Sequence, residues 1–228
     1  MKIEVLYRPS YSLAKIVLSG NEGVQAETGA MVGMSAGVQI ETKMRGGLLK
    51  SLARSMLGGE SFFINVFRAP GSGGELLLAP TMPGDVFAMT LSGGQEYLVQ
   101  SGSFLAASEG IETDTKWTGA KTFFAGEGLI MLRCVGAGDL VLSSYGAIHE
   151  IDLAPGQTFT VDTTHLVAFP SSVGFRVRMI GGMKSTLLGG EGIVVDLTGP
   201  GKILLQTRSL GAFLAWLIPQ LPKQSNGS

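Results

Sequence analysis

A short motif occurs three times along this chain, and the repetition limits the fold more than any other feature. Gly-Glu, a small residue and an apolar run appear as LGGESFFINV at 57–66, FAGEGLIMLR at 124–133 and LGGEGIVVDL at 188–197. Each copy is followed by a glycine-rich turn and a second apolar run. An apolar strand, a short turn and another strand predict a β-hairpin in each copy.

The repetition extends upstream of the motif. Alternating segments end on Leu18, Leu91 and Leu153, and each is followed by a strand-like segment with a small-residue break. The repeats therefore cover about 1–79, 80–143 and 144–208, ahead of an apolar tail at 209–222. Strand-rich repeats without a long helix predict an all-β fold. Because no Pro- or Ser-rich linker separates the repeats, we expect a single domain over 1–228, with three tandem units in one pseudo-threefold body.

The connectors that precede the Gly-Glu motif differ in length. In the first repeat, apolar and polar residues of the 45–57 segment alternate as on a short amphipathic helix. The later connectors are shorter, and we expect single helical turns there.

Composition excludes some functions and favours a compartment. The chain has 228 residues, 34 glycines and a net charge of −1, so it has no overall positive charge to attract nucleic acid. No apolar run reaches the ~18 residues of a transmembrane helix. The start shows no secretory pattern, and the sole cysteine, Cys134, lies in an apolar run. These features favour a cytoplasmic protein.

The triplicated motif, together with GLLKSLARSMLGGESFFINVF and the closing LLQTRSLGAFLAWLIPQLP, resembles the altered-inheritance-of-mitochondria family over nearly the whole chain. The resemblance implies a fold similar to the tryptophan-RNA-binding attenuation protein, with three such β-sandwich units in one chain. The fungal member of the family is associated with mitochondrial membrane organisation. Neither a tryptophan pocket nor an RNA-binding basic ring matches residues of this chain, and fold similarity alone assigns no activity.

Three glutamates occupy equivalent positions of the motif: Glu60, Glu127 and Glu191. In a pseudo-threefold body these side chains lie on a ring, and a tight ring of carboxylates binds a cation such as Ca²⁺ or a cationic ligand. The alternative, which we favour, is that each carboxylate accepts backbone N–H bonds where the chain enters its hairpin.

Two segments are candidates for contact with a membrane or a partner. Lys50 and Arg54 lie on the polar side of the 45–57 helix, and such a helix either lies on an anionic membrane or covers a sheet. The uncharged tail at 210–221 contains Phe213 and Trp216. We expect it to dock on the body or on a neighbouring subunit, and interfacial membrane insertion is the alternative.

Catalytic patterns are missing from the sequence. His149 and His165 lack the paired spacing of a metal site, and we expect His149 to face the core. No G-x-S-x-G or phosphate-binding loop occurs. We therefore predict no enzyme activity, no cofactor and no metal. The first hypothesis is a non-catalytic scaffold or binding module that forms homo-oligomers. The alternatives are a peripheral membrane-organising protein and a small-ligand or cation binder at the glutamate ring.

Overall fold

A computed structural model describes residues 1–41, 64–114, 130–180 and 193–222. Within these ranges the protein is built mostly of antiparallel β-strands, with a single short α-helix near the C-terminus. The prediction of an all-β fold is confirmed. The connecting segments predicted to be helical, 45–57 among them, lie outside the described residues.

The strands are short, and their bounds follow in chain order. They are β1 (Lys2–Leu6), β2 (Leu13–Leu18), β3 (Gly23–Glu27), β4 (Met31–Met34), β5 (Gln39–Glu41), β6 (Ile64–Arg68), β7 (Gly74–Leu78), β8 (Val86–Leu91), β9 (Glu96–Gln100), β10 (Phe104–Ser108), β11 (Ile111–Asp114), β12 (Met131–Gly136), β13 (Gly138–Ser143), β14 (Ile148–Leu153), β15 (Thr158–Asp162), β16 (Leu166–Pro170), β17 (Gly174–Met179), β18 (Ile193–Thr198) and β19 (Gly201–Gln206). Helix α1 spans Leu210–Leu217, and 3-10 turns span Ser101–Ser103, Thr163–His165 and Ile218–Gln220.

The strands form four sheets. Sheet 1 has the order β1-β2-β7-β4, and sheet 2 has the order β5-β6-β3-β10-β13-β8. Sheet 3 has the order β11-β12-β9-β16-β19-β14, and sheet 4 has the order β15-β18-β17. Every ladder between these strands is antiparallel.

The prediction of β-hairpins at the glycine-rich turns is wrong. β6 and β7, β12 and β13, and β18 and β19 are consecutive in sequence, yet the two strands of each couple belong to different sheets. A glycine turn reverses the chain, but here it also transfers the chain from one sheet to the next. At one such turn Gly136 has φ +138°, and a Cβ there would overlap the carbonyl oxygen of Gly110.

Three buried apolar clusters hold the four sheets together. The first packs sheet 1 against sheet 2 through residues such as Ile16, Leu76 and Leu105. The second packs sheet 2 against sheet 3 and includes Leu132 and Leu140. The third packs sheet 3 against sheet 4 and includes Phe169, Val195, Leu197 and Ile203. Sheets 2 and 3 are therefore covered on both faces, whereas each of sheets 1 and 4 has one face in these clusters.

The structure buries the three aligned leucines, as expected, but it does not bury His149. Leu18, Leu91 and Leu153 each end a strand and are buried, as the alternating pattern requires. His149, predicted to face the core, is exposed on β14. The prediction fails because His149 lies near the start of the edge strand β14, whereas Ile151 and Leu153 on the same face lie farther along the strand and pack in the third cluster.

A buried carboxylate ties the loop before β2 to the start of β8. Asp85 accepts two hydrogen bonds of 2.8 Å from the Arg8 guanidinium, one of 2.9 Å from Ser12 Oγ and one of 2.9 Å from the Val86 N–H. Burial by itself would raise the pKa of Asp85, but these hydrogen bonds outweigh it and lower the pKa below its ordinary value.

Candidate functional site

The C-terminal segment is the candidate site that the structure describes. Ser209 is the N-cap of α1, since its Oγ accepts a hydrogen bond of 3.4 Å from the Ala212 N–H. No residue of α1 is buried. Trp216 is 63% exposed, and Ile218 and Leu221, beyond the helix, are also exposed. An uncharged helix that presents its large apolar side chains to solvent is unusual for a soluble chain by itself.

Phe213 and Trp216, the two tail residues predicted to contact a partner, lie together. Their ring centroids are 6.1 Å apart, and the ring of Tyr145 meets Phe213 edge-on at 6.2 Å. Tyr145 belongs to the loop between β13 and β14, so this aromatic contact joins α1 to the β-sheet body. Phe213 thus contacts the body through Tyr145, whereas Trp216 is mostly exposed.

A shallow cleft of about 410 Å³ opens between α1 and the body. It is lined by Tyr145, His165, Thr207, Arg208, Ser209, Ala212, Phe213 and Trp216. His165 Nδ1 lies 2.7 Å from the Gln206 carbonyl oxygen, which accepts only, so Nδ1 is the donor of this bond. Arg208 Nη1 donates to the Thr207 carbonyl oxygen at 3.0 Å. The cleft thus combines aromatic rings with a cation and hydroxyl groups.

Sequence reasoning missed the body side of this cleft. Tyr145 and Arg208 are 63 residues apart in sequence, and the pairing of β14 with β19 brings the segments that contain them together. His165 ends a 3-10 turn at the small-residue break, and nothing in its sequence neighbourhood indicates Gln206 as its partner. No local pattern could have found this set.

The other predicted site residues are not described. Glu60, Glu127 and Glu191, and also Lys50 and Arg54, lie outside the described ranges. Whether the three glutamates converge stays a prediction. Among residues 1–41, 64–114, 130–180 and 193–222, no group of three His, Cys, Asp or Glu side chains could hold a metal ion. Within the same ranges, α1 is too short to span a membrane.

A second candidate surface lies at the ends of sheets 1 and 4. β4 is the last strand of sheet 1, and Met31, Val32 and Met34 are exposed on it. β15 is the first strand of sheet 4, and Phe159 is exposed on it. In the part of the chain that the structure describes, no strand pairs with the outer edge of either strand. Sequence reasoning missed this surface too, because it treated both segments as ordinary strands.

A family model described as mitochondrial biogenesis AIM24 matches residues 3–208 of the chain. The chain belongs to the AIM24 family. An uncharacterized protein of Streptococcus pyogenes serotype M6 is 32% identical in an alignment of 224 positions that covers 95% of this chain and 89% of that protein. A Streptococcus pyogenes protein with an X-ray crystal structure is 29% identical, with a TM-score of 0.79, and the match covers 96% of this chain and 99% of that one.

The two candidate surfaces differ in whether the AIM24 family model covers them. β4 and β15 lie within the matched residues 3–208, whereas α1 begins at Leu210, after them. The resemblance to the altered-inheritance-of-mitochondria family is therefore confirmed for the β-sheet body.

Proposed function

We propose that this AIM24-family protein is a non-catalytic, oligomeric scaffold made of three β-sandwich units in one chain. The observation that supports the three units is the strand pairing. In each proposed unit the first strand pairs with the sixth, and the sixth with the third. The pairs are β2·β7·β4, β8·β13·β10 and β14·β19·β16.

The other three strands of each unit repeat a scheme of their own. The fifth strand pairs with both the second and the fourth, as β3·β6·β5, β9·β12·β11 and β15·β18·β17. Each unit is then a sandwich of two three-stranded halves around one of the apolar clusters. β1 adds an extra strand to the first unit by pairing with β2. This scheme supports the unit boundaries near 79 and 143.

Self-association is supported by where the exposed apolar side chains lie. Most of them lie on β4 and β5, at the end of β17 and in the C-terminal segment, as Met31, Val32, Met34, Ile40, Met179, Trp216, Ile218 and Leu221, while Tyr7, Tyr11, Val17 and Phe159 are exposed elsewhere. Concentrated apolar surface on a soluble chain is typical of protein contacts. We propose a cytoplasmic location, because Cys134 is a buried, free thiol.

Native mass spectrometry of the full chain, together with light scattering at micromolar concentration, tests the scaffold. We expect one discrete oligomer of the 23.8 kDa chain. A monomer at every concentration up to about 100 μM would remove the scaffold proposal, because a scaffold with weaker self-association would be dissociated at most cellular concentrations.

Peripheral membrane binding is the second candidate, and the exposure of Trp216 favours it. Tryptophan prefers the headgroup region of a bilayer, and an apolar helix end beside it adds buried area. We expect the chain to float with vesicles of phosphatidylcholine and phosphatidylserine, and the Trp216→Ser variant to remain at the bottom of the gradient. Val17→Ser is the control, since Val17 is an exposed apolar residue on β2 of sheet 1, whereas α1 contacts the loop between β13 and β14. If the unmodified chain does not float, this candidate is abandoned.

A further inference from the structure

We propose that the free edge of β4 in one copy of the chain pairs with the free edge of β15 in the next copy, so that chains join head to tail through a continuous antiparallel sheet. This inference rests on the proposed three-unit scaffold and names its interface. The partner is a second copy of this chain, because the complementary strand for each edge occurs at the other end of the same sequence.

Two junctions inside the chain show how neighbouring units join. The second strand of the first unit, β3, pairs with the third strand of the second unit, β10. In the same way β9 pairs with β16. The rule is that the second strand of one unit pairs with the third strand of the next. Under this rule two strands lack a junction partner among the described residues: β4, the third strand of the first unit, and β15, the second strand of the last.

The third strands share a local geometry as well as a place in the scheme. β4, β10 and β16 each contain an irregularity one residue after their first ladder pair, at Val32, Leu105 and Val167. A bulge bends a strand and re-aims its side chains. Because β4 has the same bulge as the two strands that form junctions, its backbone is shaped for the same pairing.

Burial shows what the missing partner would cover. Leu105 and Val167, at the bulges of β10 and β16, are 0% exposed, whereas Val32 is 56% exposed. The contrast recurs across the junction. At the second position of the partner strands, Val24 of β3 is fully buried and Tyr97 of β9 is half-buried, but Phe159 of β15 is 40% exposed. A junction between copies would remove these apolar side chains from water, as the internal junctions do.

The edge strands of the four sheets differ in whether they carry charged side chains. Natural sheets block unwanted edge pairing with charged side chains. Each of the free edges β5, β11, β14 and β17 contains such residues, namely Glu41, Glu112, Asp114, Glu150, Asp152, Arg176 and Arg178. β4 contains none. β8 is also uncharged, but β1 packs against it. The uncharged edge of β4 is therefore open to a partner strand.

The internal junctions also predict the register. The residue that follows the bulge faces the fourth residue of the partner strand, as Ala106 faces Ala26 and Ala168 faces Val99. Applied to β4 and β15, the same rule places Gly33 opposite Val161. The next two pairs are then Met34 with Thr160 and Ser35 with Phe159. A contact between one end of the chain and the other end of its neighbour is heterologous, and it closes into a ring or continues as a filament.

Cysteine cross-linking tests this register. Two double variants are needed, Met34→Cys with Thr160→Cys and Ser35→Cys with Phe159→Cys. Successive antiparallel pairs alternate between hydrogen-bonded and non-hydrogen-bonded types, so one of the two has Cα atoms about 4.5 Å apart, within disulfide range. Cys134 does not interfere, because it is buried and its burial raises the pKa of the thiol to about 12.

Under oxidation we expect at least one double variant to form a ladder of covalent dimers, trimers and larger species on a non-reducing gel. A mixture of the two corresponding single variants should stop at the dimer, because each copy then supplies one half of the junction. Met34→Cys with Thr158→Cys is the control, since this pair is shifted by two residues and lies diagonally, about 7–8 Å apart. A disulfide confined to single chains, or no disulfide in either double variant, would overturn the proposal.

A second pair of variants separates assembly from folding. Val32→Lys adds a charge at the edge of β4, and Val17→Lys adds one at a similarly exposed valine on β2, which is already paired on both sides. We expect Val32→Lys to abolish the oligomer in native mass spectra and Val17→Lys to leave it intact, with unchanged far-UV circular dichroism for both. An oligomer that survives Val32→Lys refutes the edge pairing but keeps the scaffold, whereas a monomeric unmodified chain refutes the scaffold itself.

Discussion

β10 and β4 are two strands with the same local design and opposite surroundings. Each has a bulge one residue after its first ladder pair, and each pairs on one side with the last strand of its proposed unit, β13 or β7. β10 has a second neighbour, β3, and its bulge residue Leu105 is fully buried. β4 has no second neighbour among the described residues, and its bulge residue Val32 is mostly exposed. The comparison teaches that the surroundings of a strand decide burial rather than its own pattern, because sheet 1 packs over Leu105 while β4 lies at the end of sheet 1.

Truncation of the two bulge residues, Leu105 and Val32, tests this difference in burial most directly. Leu105→Ala should lower the free energy of unfolding by ~2–5 kcal/mol, because it removes buried methyl groups and leaves a cavity between sheets 1 and 2. Val32→Ala should change it by less than ~0.5 kcal/mol in the dissociated chain. Urea unfolding at low protein concentration measures both. Equal losses would mean that β4 is covered within the single chain.

The contrast between buried and exposed residues also holds for polar groups. Substitution of the buried Asp85 should have the next largest effect on the free energy of unfolding. Asp85→Asn should destabilise the chain by ~1–3 kcal/mol at neutral pH, since it removes a buried, charge-assisted hydrogen-bond acceptor whose partner Arg8 is half-exposed.

The pH dependence of Asp85 has a definite sign. Because folding lowers the pKa of this carboxyl, its contribution is complete above the unfolded value of about 4 and is lost as the pH falls through the lower folded value. The difference between Asp85→Asn and the unmodified chain should therefore shrink in acid. Urea midpoints at neutral and acidic pH test this, and a constant difference would contradict it.

Asp196 on sheet 4 is the counterpart that is only partly buried and is paired with an exposed arginine. Arg178 donates two hydrogen bonds to it, at 2.7 and 3.0 Å, and Thr160 donates one at 2.7 Å, which together lower the pKa of Asp196 to about 2. Arg178→Gln should raise this pKa toward the ordinary value near 3.9 without a measurable shift of the urea midpoint, because exposed ion pairs contribute little to stability. Carboxyl NMR titration measures the pKa. A large loss of stability would show that sheet 4 is covered in solution.

The smallest effect concerns Cys134, in the cluster between sheets 2 and 3. Burial raises the pKa of its thiol to about 12, so the folded chain should not react with a thiol reagent at neutral pH, while the unfolded chain should react fully. Rapid reaction of the folded chain would mean that this cluster opens readily, and the contrast between covered inner sheets and open end strands would weaken.

Particular residues show how far the sequence could be interpreted. The alternating pattern located the strand ends at Leu18, Leu91 and Leu153, because period-two burial is a local property. The same pattern placed His149 in the core, and this was wrong, because the pattern identifies a face but not how far along the strand that face is covered. Of the candidate site residues, the structure describes Phe213 and Trp216, and it adds Tyr145, which only the loop between β13 and β14 brings to them.

The amino-acid sequence by itself determined that the chain forms short strands separated by glycine turns, and the described residues contain one short helix only. It also determined that the C-terminal segment 210–221 is apolar and uncharged. Only the tertiary structure decided which strands pair. The glycine turns that predicted hairpins connect different sheets instead, because backbone hydrogen bonds are satisfied equally well by a distant strand as by the next one, and apolar packing between sheets selects among them. The same selection buried β10 and left β4 at an open edge.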